Sequence, residues 1–291
     1  MSENEGKGCC DEESDFCVGV TLQLFLSAIL AGTFGCFYWV ILPGWVEQGS
    51  VAVVLAGTSF GLCFTLMVIS YLRAWLTDPG SVPQGWRADE EGGEEQALHG
   101  EARFCRKCEQ FKPPRASHCR QCGKCVLRMD HHCPWVQNCV GARNHKYFFL
   151  FLFWAFMSCL HYSLSVIVFV MHFFRGDSVR KIRDLGPWMG LLLGTEIVVF
   201  CLMLMIGGLG GWNAYLILKN QTTMENYDVS TKSRGKRKHR HIYDLGTYRN
   251  IQSLMGRSPL LWLLPLDPGN DPLKYEVWGK DEGGKEMMSP E

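Results

Sequence analysis

Hydrophobic and charged residues are separated along the chain into long alternating stretches. Residues 18–42, 51–72 and 147–174 contain no Asp, Glu, Lys or Arg, and residues 189–210 contain one acid, Glu196. A helix needs about 20 predominantly apolar residues to cross the hydrocarbon core of a bilayer. Each of the four runs has that length. The pattern predicts an all-α polytopic membrane protein with four transmembrane helices.

The first apolar run has an alternative interpretation as the core of a signal peptide. Signal peptides begin with basic residues and have an apolar core of about 7–15 residues. The charged residues before position 18 are acidic apart from Lys7, and the run itself is longer than such a core. Residues 18–42 are therefore interpreted as a retained helix.

Lys and Arg residues lie mostly on one side of these helices. Residues 43–50 have none and residues 175–187 have four, whereas residues 73–146 and 219–291 have twelve each. Because loops rich in Lys and Arg stay in the cytosol, we expect the middle loop and both termini to be cytosolic. The expected segments are a cytosolic N-terminal segment (1–17), helices 1 and 2 (18–72), a cytosolic loop (73–146), helices 3 and 4 (147–218) and a cytosolic tail (219–291).

Averages over the whole chain conceal this division. The 29 basic and 29 acidic residues cancel, and the 47% of hydrophobic residues would suit a soluble protein. The lack of a basic excess argues against nucleic-acid binding. The cysteine content is the one feature of the composition that is not average. Its 14 cysteines are too sparse for a small disulfide scaffold, but their number indicates a specific role for at least some of them.

Half of these cysteines lie between residues 105 and 139, together with three histidines. The candidate metal ligands are Cys105, Cys108, His118, Cys119, Cys122, Cys125, His131, His132, Cys133 and Cys139. The pairs Cys105/Cys108 and Cys119/Cys122 have the Cys-x-x-Cys spacing that is typical of zinc sites. Disulfides are the alternative, but a cytosolic loop is in a reducing compartment. We expect a cysteine-rich, zinc-binding domain at about residues 103–146.

The number of candidate ligands exceeds what two zinc ions need. Structural zinc takes four ligands per ion, so two of the ten candidates remain for another role. Asp130, His131, His132 and Cys133 are consecutive, and an acid, a base and a thiol so close together favour an activated nucleophile. Spacing alone does not decide which histidine is the base.

This loop resembles the DHHC-type protein S-acyltransferases, or palmitoyltransferases. The resemblance rests on the Asp-His-His-Cys tetrad within the cysteine pattern, between the second and third of four spans. Three further motifs match the family: Asp78-Pro79-Gly80 after the second span, Thr222-Thr223-Met224-Glu225 after the fourth, and Asn250 in the tail.

The resemblance implies a role for each residue of the cluster. One zinc ion would be bound by Cys105, Cys108, His118 and Cys125, and the other by Cys119, Cys122, His132 and Cys139. Cys133 would be the nucleophile, His131 its base and Asp130 the acid that orients the base. The implied reaction transfers a long-chain acyl group, above all palmitoyl, from acyl-CoA to Cys133 and then to a cysteine of a cytosolic or membrane protein.

Other expectations concern ligands and location. Arg115, Arg120 and Arg128 are candidates for the CoA phosphates, and Trp135 either lines the acyl carbonyl's site or packs in the core. The basic run at residues 232–241 is interpreted as a contact with anionic lipid or a phosphate-bearing ligand, and Cys9 and Cys10 as candidate acylation sites. Golgi or endoplasmic reticulum membranes are expected, with the plasma membrane as the alternative. A zinc-stapled membrane adaptor without catalysis is the rival function.

Overall fold

The structure is a computed structural model that describes residues 10–43, 49–87, 103–175, 178–232 and 242–277. Two features named above fall largely outside these residues. Cys9, the side chain of Cys10 and nearly all of the basic run at residues 232–241 are not among the described parts of the chain.

Four long helices dominate the fold. They are α1 (Cys10–Cys36), α2 (Ser50–Leu76), α3 (His145–Arg175) and α4 (Ser178–Leu218), and a π-helical turn (Phe37–Ile41) extends α1. The segments long and apolar enough to cross a membrane are Cys17–Ile41, Ser50–Leu76, His145–Met171 and Met189–Leu218. The prediction of four membrane helices is therefore confirmed.

Three small antiparallel hairpins lie between α2 and α3, where the cysteine-rich domain is expected. Their strands are β1 (Phe104–Cys105) with β2 (Gln110–Phe111), β3 (Ser117–His118) with β4 (Cys125–Val126), and β5 (His131–Cys133) with β6 (Asn138–Val140). After α4 the chain forms α5 (Thr223–Lys232), α6 (Thr247–Met255) and a 3-10 turn (Pro259–Leu261).

The chain divides into two compact units. The first combines residues Met1–Ile69 with Phe151–Gly210, and the second combines Ser70–Leu150 with Gly211–Glu291. In the first unit, the rings of Phe37 and Phe60 stack with their centroids 3.9 Å apart, within a buried cluster that includes Tyr162 and Leu192. Aromatic stacking and burial stabilise helix packing in this unit.

The second unit contains the hairpins and has an unusual core. Two of its buried clusters contain the thiols of Cys105, Cys125, Cys119 and Cys139 alongside a few aliphatic side chains, one methionine and one tryptophan. Hairpins this short bury too little apolar surface for independent stability. Their geometry therefore depends on what the cysteines bind.

Candidate metal and active site

The hairpins bring eight Cys and His residues together in two groups. Among the described residues, the groups that could hold a metal ion are Cys105, Cys108, His118 and Cys125, and Cys119, Cys122, His132 and Cys139. These are the two ligand sets that the family resemblance implies. In each group the four ligand atoms lie within 4.8 Å of one another.

Strand pairing explains why residues distant in sequence meet in these groups. His118 is paired directly with Cys125 in the β3–β4 hairpin, and His132 is paired with Cys139 in the β5–β6 hairpin. Each of these pairs joins a Cys-x-x-Cys pair from a preceding hairpin. The turn of the β3–β4 hairpin carries Cys119 and Cys122, so this hairpin supplies ligands to both groups and links them.

The distances within the groups fit zinc. Zn–S bonds of about 2.3 Å and Zn–N bonds of about 2.0–2.1 Å place tetrahedral ligand atoms about 3.6–3.8 Å apart. His118 Nδ1 lies 3.6, 3.2 and 3.9 Å from the Sγ atoms of Cys105, Cys108 and Cys125. His132 Nδ1 lies 3.7 Å from Cys119 Sγ and from Cys139 Sγ, and 3.3 Å from Cys122 Sγ. A donor set of three thiolates and one imidazole is typical of structural zinc.

Cys133 lies at the end of β5 and belongs to neither group. Its side chain is buried. Side chains alternate between the two faces of a strand, so His131 and Cys133 share one face of β5 and His132 projects from the other. His131 forms side-chain hydrogen bonds with both Asp130 and Cys133. The alternation of β5 therefore separates the metal ligand from the imidazole beside the thiol.

Asp130 is buried and holds the His131 ring in one orientation. His131 Nδ1 and Asp130 Oδ2 are 2.7 Å apart. Burial alone would raise the pKa of Asp130, but the hydrogen bond with His131 holds it well below its usual range. Burial lowers the pKa of His131, whereas its bonds to Asp130 and Cys133 raise that pKa, with a net value of about 9. The electrostatics favour the imidazolium form of His131 beside an ionised Asp130.

The start of α5 also holds Asp130 in place. Thr223 donates to Asp130 through its backbone N–H at 2.7 Å and through its hydroxyl at 3.0 Å. Thr222 and Glu225 form a reciprocal capping box, in which Thr222 N donates to Glu225 Oε2 and Glu225 N donates to Thr222 Oγ1. This device satisfies backbone N–H groups in the first helical turn. The Thr-Thr-x-Glu motif thus connects α5 to the tetrad.

Arg115 fixes that capping box from the cysteine-rich domain. Its guanidinium donates to both carboxylate oxygens of Glu225, at 2.7 and 2.8 Å, and to the side-chain and backbone oxygens of Asn220. It also lies over the ring of Tyr243, 4.2 Å from the centroid. Arg128 is buried as well and donates to Asn220 Oδ1. Of the three arginines considered for the CoA phosphates, Arg120 alone is exposed.

Replacing Arg115 by methionine should destabilise the cysteine-rich domain by about 3–5 kcal/mol, because it removes the cation that compensates the charge of the largely buried Glu225 carboxylate. The matched control is Lys124→Met. Lys124 pairs with Asp78 at 3.0 Å, but both side chains are more than 40% exposed, so we expect less than about 1 kcal/mol. The measurement is the urea dependence of zinc release from the purified full chain. Equal midpoints for the two variants would contradict the role assigned to Arg115.

The Asp-Pro-Gly motif after α2 packs directly against the hairpins. Asp78 Oδ1 accepts hydrogen bonds from the N–H groups of Gly80 and Ser81, and Gly80 O accepts one from Leu127 N. Burial alone would raise the pKa of Asp78, but hydrogen bonds, first of all from Lys124, lower it to about 2. A Cβ at Gly141 would lie 2.6 Å from Pro79 O. This close approach requires glycine at position 141.

Asn138 and Asn250 each attach one segment of the chain to the end of a helix. The sequence identifies only Asn250 as part of a motif. Asn138 Nδ2 donates to the carbonyls of Ala74, Trp75 and Thr77, which fixes the β5–β6 hairpin to the end of α2. Asn250 is buried and donates to Leu218 O at the end of α4. The position of Asn138, next to the ligand Cys139, was the available signal for its role.

Trp135 lies two residues beyond Cys133 and is half-buried. Its backbone carbonyl accepts a hydrogen bond from Tyr71 at 3.3 Å. Trp135 is therefore close to Cys133 in sequence, and its backbone is attached to α2.

Comparisons with known proteins agree with this site. The model of the family described as DHHC palmitoyltransferase matches residues 98–230. Probable protein S-acyltransferase 13 of Arabidopsis thaliana is 33% identical over 286 residues, which cover 91% of this chain and 92% of the relative. Probable protein S-acyltransferase 15 of the same plant is 37% identical, covering 78% and 89%. Palmitoyltransferase ZDHHC15 of Rattus norvegicus is 36% identical, covering 59% and 50%.

Four candidate membrane helices and a cysteine-rich domain with two groups that could hold a metal ion, together with these relatives, define a membrane-embedded acyltransferase. The chain belongs to the DHHC palmitoyltransferase family. It is a protein-cysteine S-palmitoyltransferase, and the rival function, a membrane adaptor without catalysis, is not supported.

Proposed function

We propose that the protein takes a long-chain acyl group, palmitoyl above all, from acyl-CoA onto Cys133 and passes it to cysteines of proteins at the cytosolic membrane face. The observation that carries the proposal is the face of β5 shared by His131 and Cys133, with Asp130 bonded to His131 at 2.7 Å. This is the arrangement of nucleophile, base and orienting acid that activates a thiol.

In the first half-reaction, His131 accepts the proton of the Cys133 thiol and the thiolate attacks the carbonyl carbon of the acyl-CoA thioester. The bond between that carbon and the CoA sulfur then breaks, and the leaving thiolate takes the proton from His131. In the second half-reaction, an acceptor cysteine gives its proton to His131 and attacks the acyl carbon. Cys133 leaves and regains the proton. Splitting one transfer into two lowers the barrier of each.

The zinc ions would be held by the two groups of four described above. When bound, they supply structural cross-links between the hairpins, because a closed four-ligand site keeps no open position. The linkage of the groups through the β3–β4 hairpin then fixes the β5–β6 hairpin, on which His131 and Cys133 lie. The role of the zinc ions would thus be to position His131 and Cys133, with no direct part in the transfer.

The distribution of charge supports the placement of the site in the cytosol. The segments 73–146 and 219–291 carry twelve Lys and Arg residues each, which favours the cytosolic side for the tetrad and both termini. The proposed domains keep the boundaries given above: 1–17, 18–72, 73–146, 147–218 and 219–291. The proposed compartment is an endomembrane, that of the Golgi or the endoplasmic reticulum. Arg120 remains the exposed candidate for the CoA phosphates, and Trp135 the candidate beside the acyl carbonyl.

Initial-rate kinetics test the two-step transfer. We expect parallel lines in double-reciprocal plots when acyl-CoA is varied at several concentrations of a cysteine-containing membrane protein, because the two substrates never occupy the enzyme together. Converging lines would indicate direct transfer in a ternary complex and would contradict the proposal.

Replacing Asp130 by asparagine should slow acyl transfer by about 10²–10⁴-fold, because the amide no longer stabilises the His131 imidazolium. The matched control is Asp271→Asn, since Asp271 lies in a turn after α6 with its side chain 47% exposed. The measurement is the single-turnover rate of acyl uptake from labelled acyl-CoA. A rate for Asp130→Asn equal to that of the control would remove Asp130 from the mechanism.

A further inference from the structure

A concave surface lies beside the first hairpin of the cysteine-rich domain. We name it the hairpin groove. It has a volume of about 940 Å³ and is lined by the segment 81–87 that follows the Asp-Pro-Gly motif, by the β1–β2 hairpin, and by Lys124 and Cys125 of the next hairpin. No residue of the Asp-His-His-Cys tetrad is among these lining residues. The proposed acyl transfer therefore leaves the groove without a role.

The floor of the hairpin groove is apolar and is held in place by the backbone. Val82 and Trp86 are 8% and 6% exposed and belong to a buried cluster with Leu127. Val82 N donates to Cys125 O at 3.3 Å, and Trp86 N donates to Pro83 O at 3.3 Å. These contacts fasten the segment after the Asp-Pro-Gly motif to β4. The groove is therefore a feature of the folded domain.

Two exposed phenylalanines form the rim of the hairpin groove. Phe104 and Phe111 are paired directly across β1 and β2, and the two residues are 50% and 41% exposed. Their ring centroids are 5.2 Å apart with the ring planes at 75°, which is the edge-to-face arrangement that aromatic rings prefer. Aromatic side chains contribute much of the energy of protein–protein contacts when a partner covers them. An exposed aromatic pair beside an apolar floor therefore indicates an interaction surface.

The surface around the hairpin groove is strongly basic. Residues 81–87 contain one arginine and residues 103–125 contain seven Lys and Arg residues, against a single acid, Glu109. Lys124 in the lining is paired with Asp78 at 3.0 Å. The exposed cations of the two ranges are Arg87, Arg103, Arg106, Lys107 and Arg120. This excess of positive charge attracts an acidic partner and repels a basic one.

We propose that the hairpin groove docks an acidic segment with an aromatic side chain, carried by the protein that accepts the acyl group. The aromatic side chain would lie against Phe104 and Phe111, and the carboxylates would pair with Arg87 and its basic neighbours. This inference rests on the proposed acyl transfer, and it gives the acceptor a second contact besides its cysteine. Docking would raise the effective concentration of acceptors that carry such a segment.

Two other occupants match the hairpin groove less well. A lipid bilayer presents a broad anionic surface, whereas the groove is concave and its apolar floor is buried. Residues 88–102 of this chain carry six acids and match the charge, but they contain no aromatic residue to cover Phe104 and Phe111. An acidic segment with an aromatic side chain matches both the charge and the aromatic rim.

Photo-crosslinking tests the docking independently of catalysis. The residue p-benzoylphenylalanine replaces Phe111 in the full chain, which is reconstituted into nanodiscs of phosphatidylcholine and phosphatidylserine. The two probes are a labelled copolymer of glutamate and tyrosine, and labelled polyglutamate. Tyr248, which is 56% exposed on α6, is the control position for the same substitution. Zinc content shows that each labelled protein is folded.

We expect adducts of the glutamate–tyrosine copolymer at position 111 in a yield far above that of polyglutamate and far above that at position 248. The yield should fall as salt is added, because part of the contact is ionic. Equal yields from the two polymers, or at the two positions, would overturn the proposal. Adducts with lipid, or with residues 88–102 of the same chain, in place of the copolymer would also overturn it and would assign the groove to those occupants.

Steady-state kinetics with matched acceptors test whether the docking serves acyl transfer. Two cysteine peptides share one sequence, except that the second has glutamine and serine where the first has glutamate and tyrosine. Phe111→Ala should raise the KM for the acidic peptide by about tenfold, as the loss of a central aromatic contact does, and should leave the rate of acyl uptake at Cys133 unchanged. Arg87→Gln removes an exposed charge and should raise that KM about twofold to fourfold, whereas Arg143→Gln, exposed and outside the lining of the groove, should not.

The same KM for both peptides would overturn the docking proposal. A KM for the acidic peptide that neither Phe111→Ala nor Arg87→Gln raises would overturn it as well. Failure of acyl uptake at Cys133 in the unaltered protein would instead contradict the proposed transfer, and the crosslinking yields would still decide whether the groove docks an acidic, aromatic segment.

Discussion

Replacing Cys133 by serine should abolish acyl uptake and leave two zinc ions bound to each chain. The hydroxyl is not ionised by a neighbouring imidazole as readily as a thiol, so no acyl-enzyme accumulates. Zinc binding should persist because Cys133 lies outside both ligand groups, and the strand alternation of β5 directs it away from the site of His132. Acyl uptake is measured with labelled acyl-CoA, and zinc by elemental analysis of the purified protein.

Cys201→Ser is the matched control for this substitution. Cys201 is a free, exposed thiol on α4, and its replacement should change neither zinc content nor acyl uptake. Loss of one zinc ion from Cys133→Ser would make Cys133 a metal ligand. Acyl uptake undiminished in Cys133→Ser would show that another thiol receives the acyl group.

Removing zinc should unfold the cysteine-rich domain and abolish activity together. The buried clusters of the hairpins contain more cysteine thiols than large aliphatic side chains, so little apolar packing remains to hold the hairpins once zinc no longer cross-links them. Structural zinc contributes about 10–16 kcal/mol of folding free energy in zinc-finger peptides. Hydrogen exchange of residues 103–143 after treatment with a strong chelator measures the loss of structure.

Replacing a single zinc ligand tests the same dependence on metal at one site only. Cys122→Ser should release one zinc ion and expose the amides of the β3–β4 and β5–β6 hairpins, because Cys122 and His132 belong to one group. Cys63→Ser, in the second span, should leave exchange unchanged. Protection that persists after both zinc ions are removed would mean that the hairpins are stable without metal.

The sequence predicts those parts of the fold that depend on local pattern. Uncharged runs of about 20 residues identify membrane helices because the bilayer imposes that length, and the four spans were found in this way. Cys-x-x-Cys spacing likewise indicates metal sites because one turn presents both sulfurs to an ion. The distinct positions of His131 and His132 also have a local signal, the two-residue period of a strand. That signal is usable only once β5 is recognised.

Contacts between distant segments are less accessible to sequence reasoning. Arg115 is a candidate for the CoA phosphates from sequence because the phosphates need cations, with surface solvation as the alternative. In the structure its partner, Glu225, lies 110 residues further along the chain. Nothing in the local pattern around Arg115 distinguishes it from the exposed Arg120. The π-helical turn at Phe37–Ile41 and the close approach of Gly256 to Pro268 similarly depend on packing rather than on composition.

The most direct test of the mechanism is to isolate the acyl-enzyme. Purified full-length protein is incubated with labelled palmitoyl-CoA without any acceptor, quenched, digested and mapped by mass spectrometry. The proposed mechanism predicts a hydroxylamine-sensitive acyl thioester on Cys133, which disappears as a cysteine-containing protein acceptor is added and labelled. Labelling of the acceptor with no thioester ever found on Cys133 would contradict it.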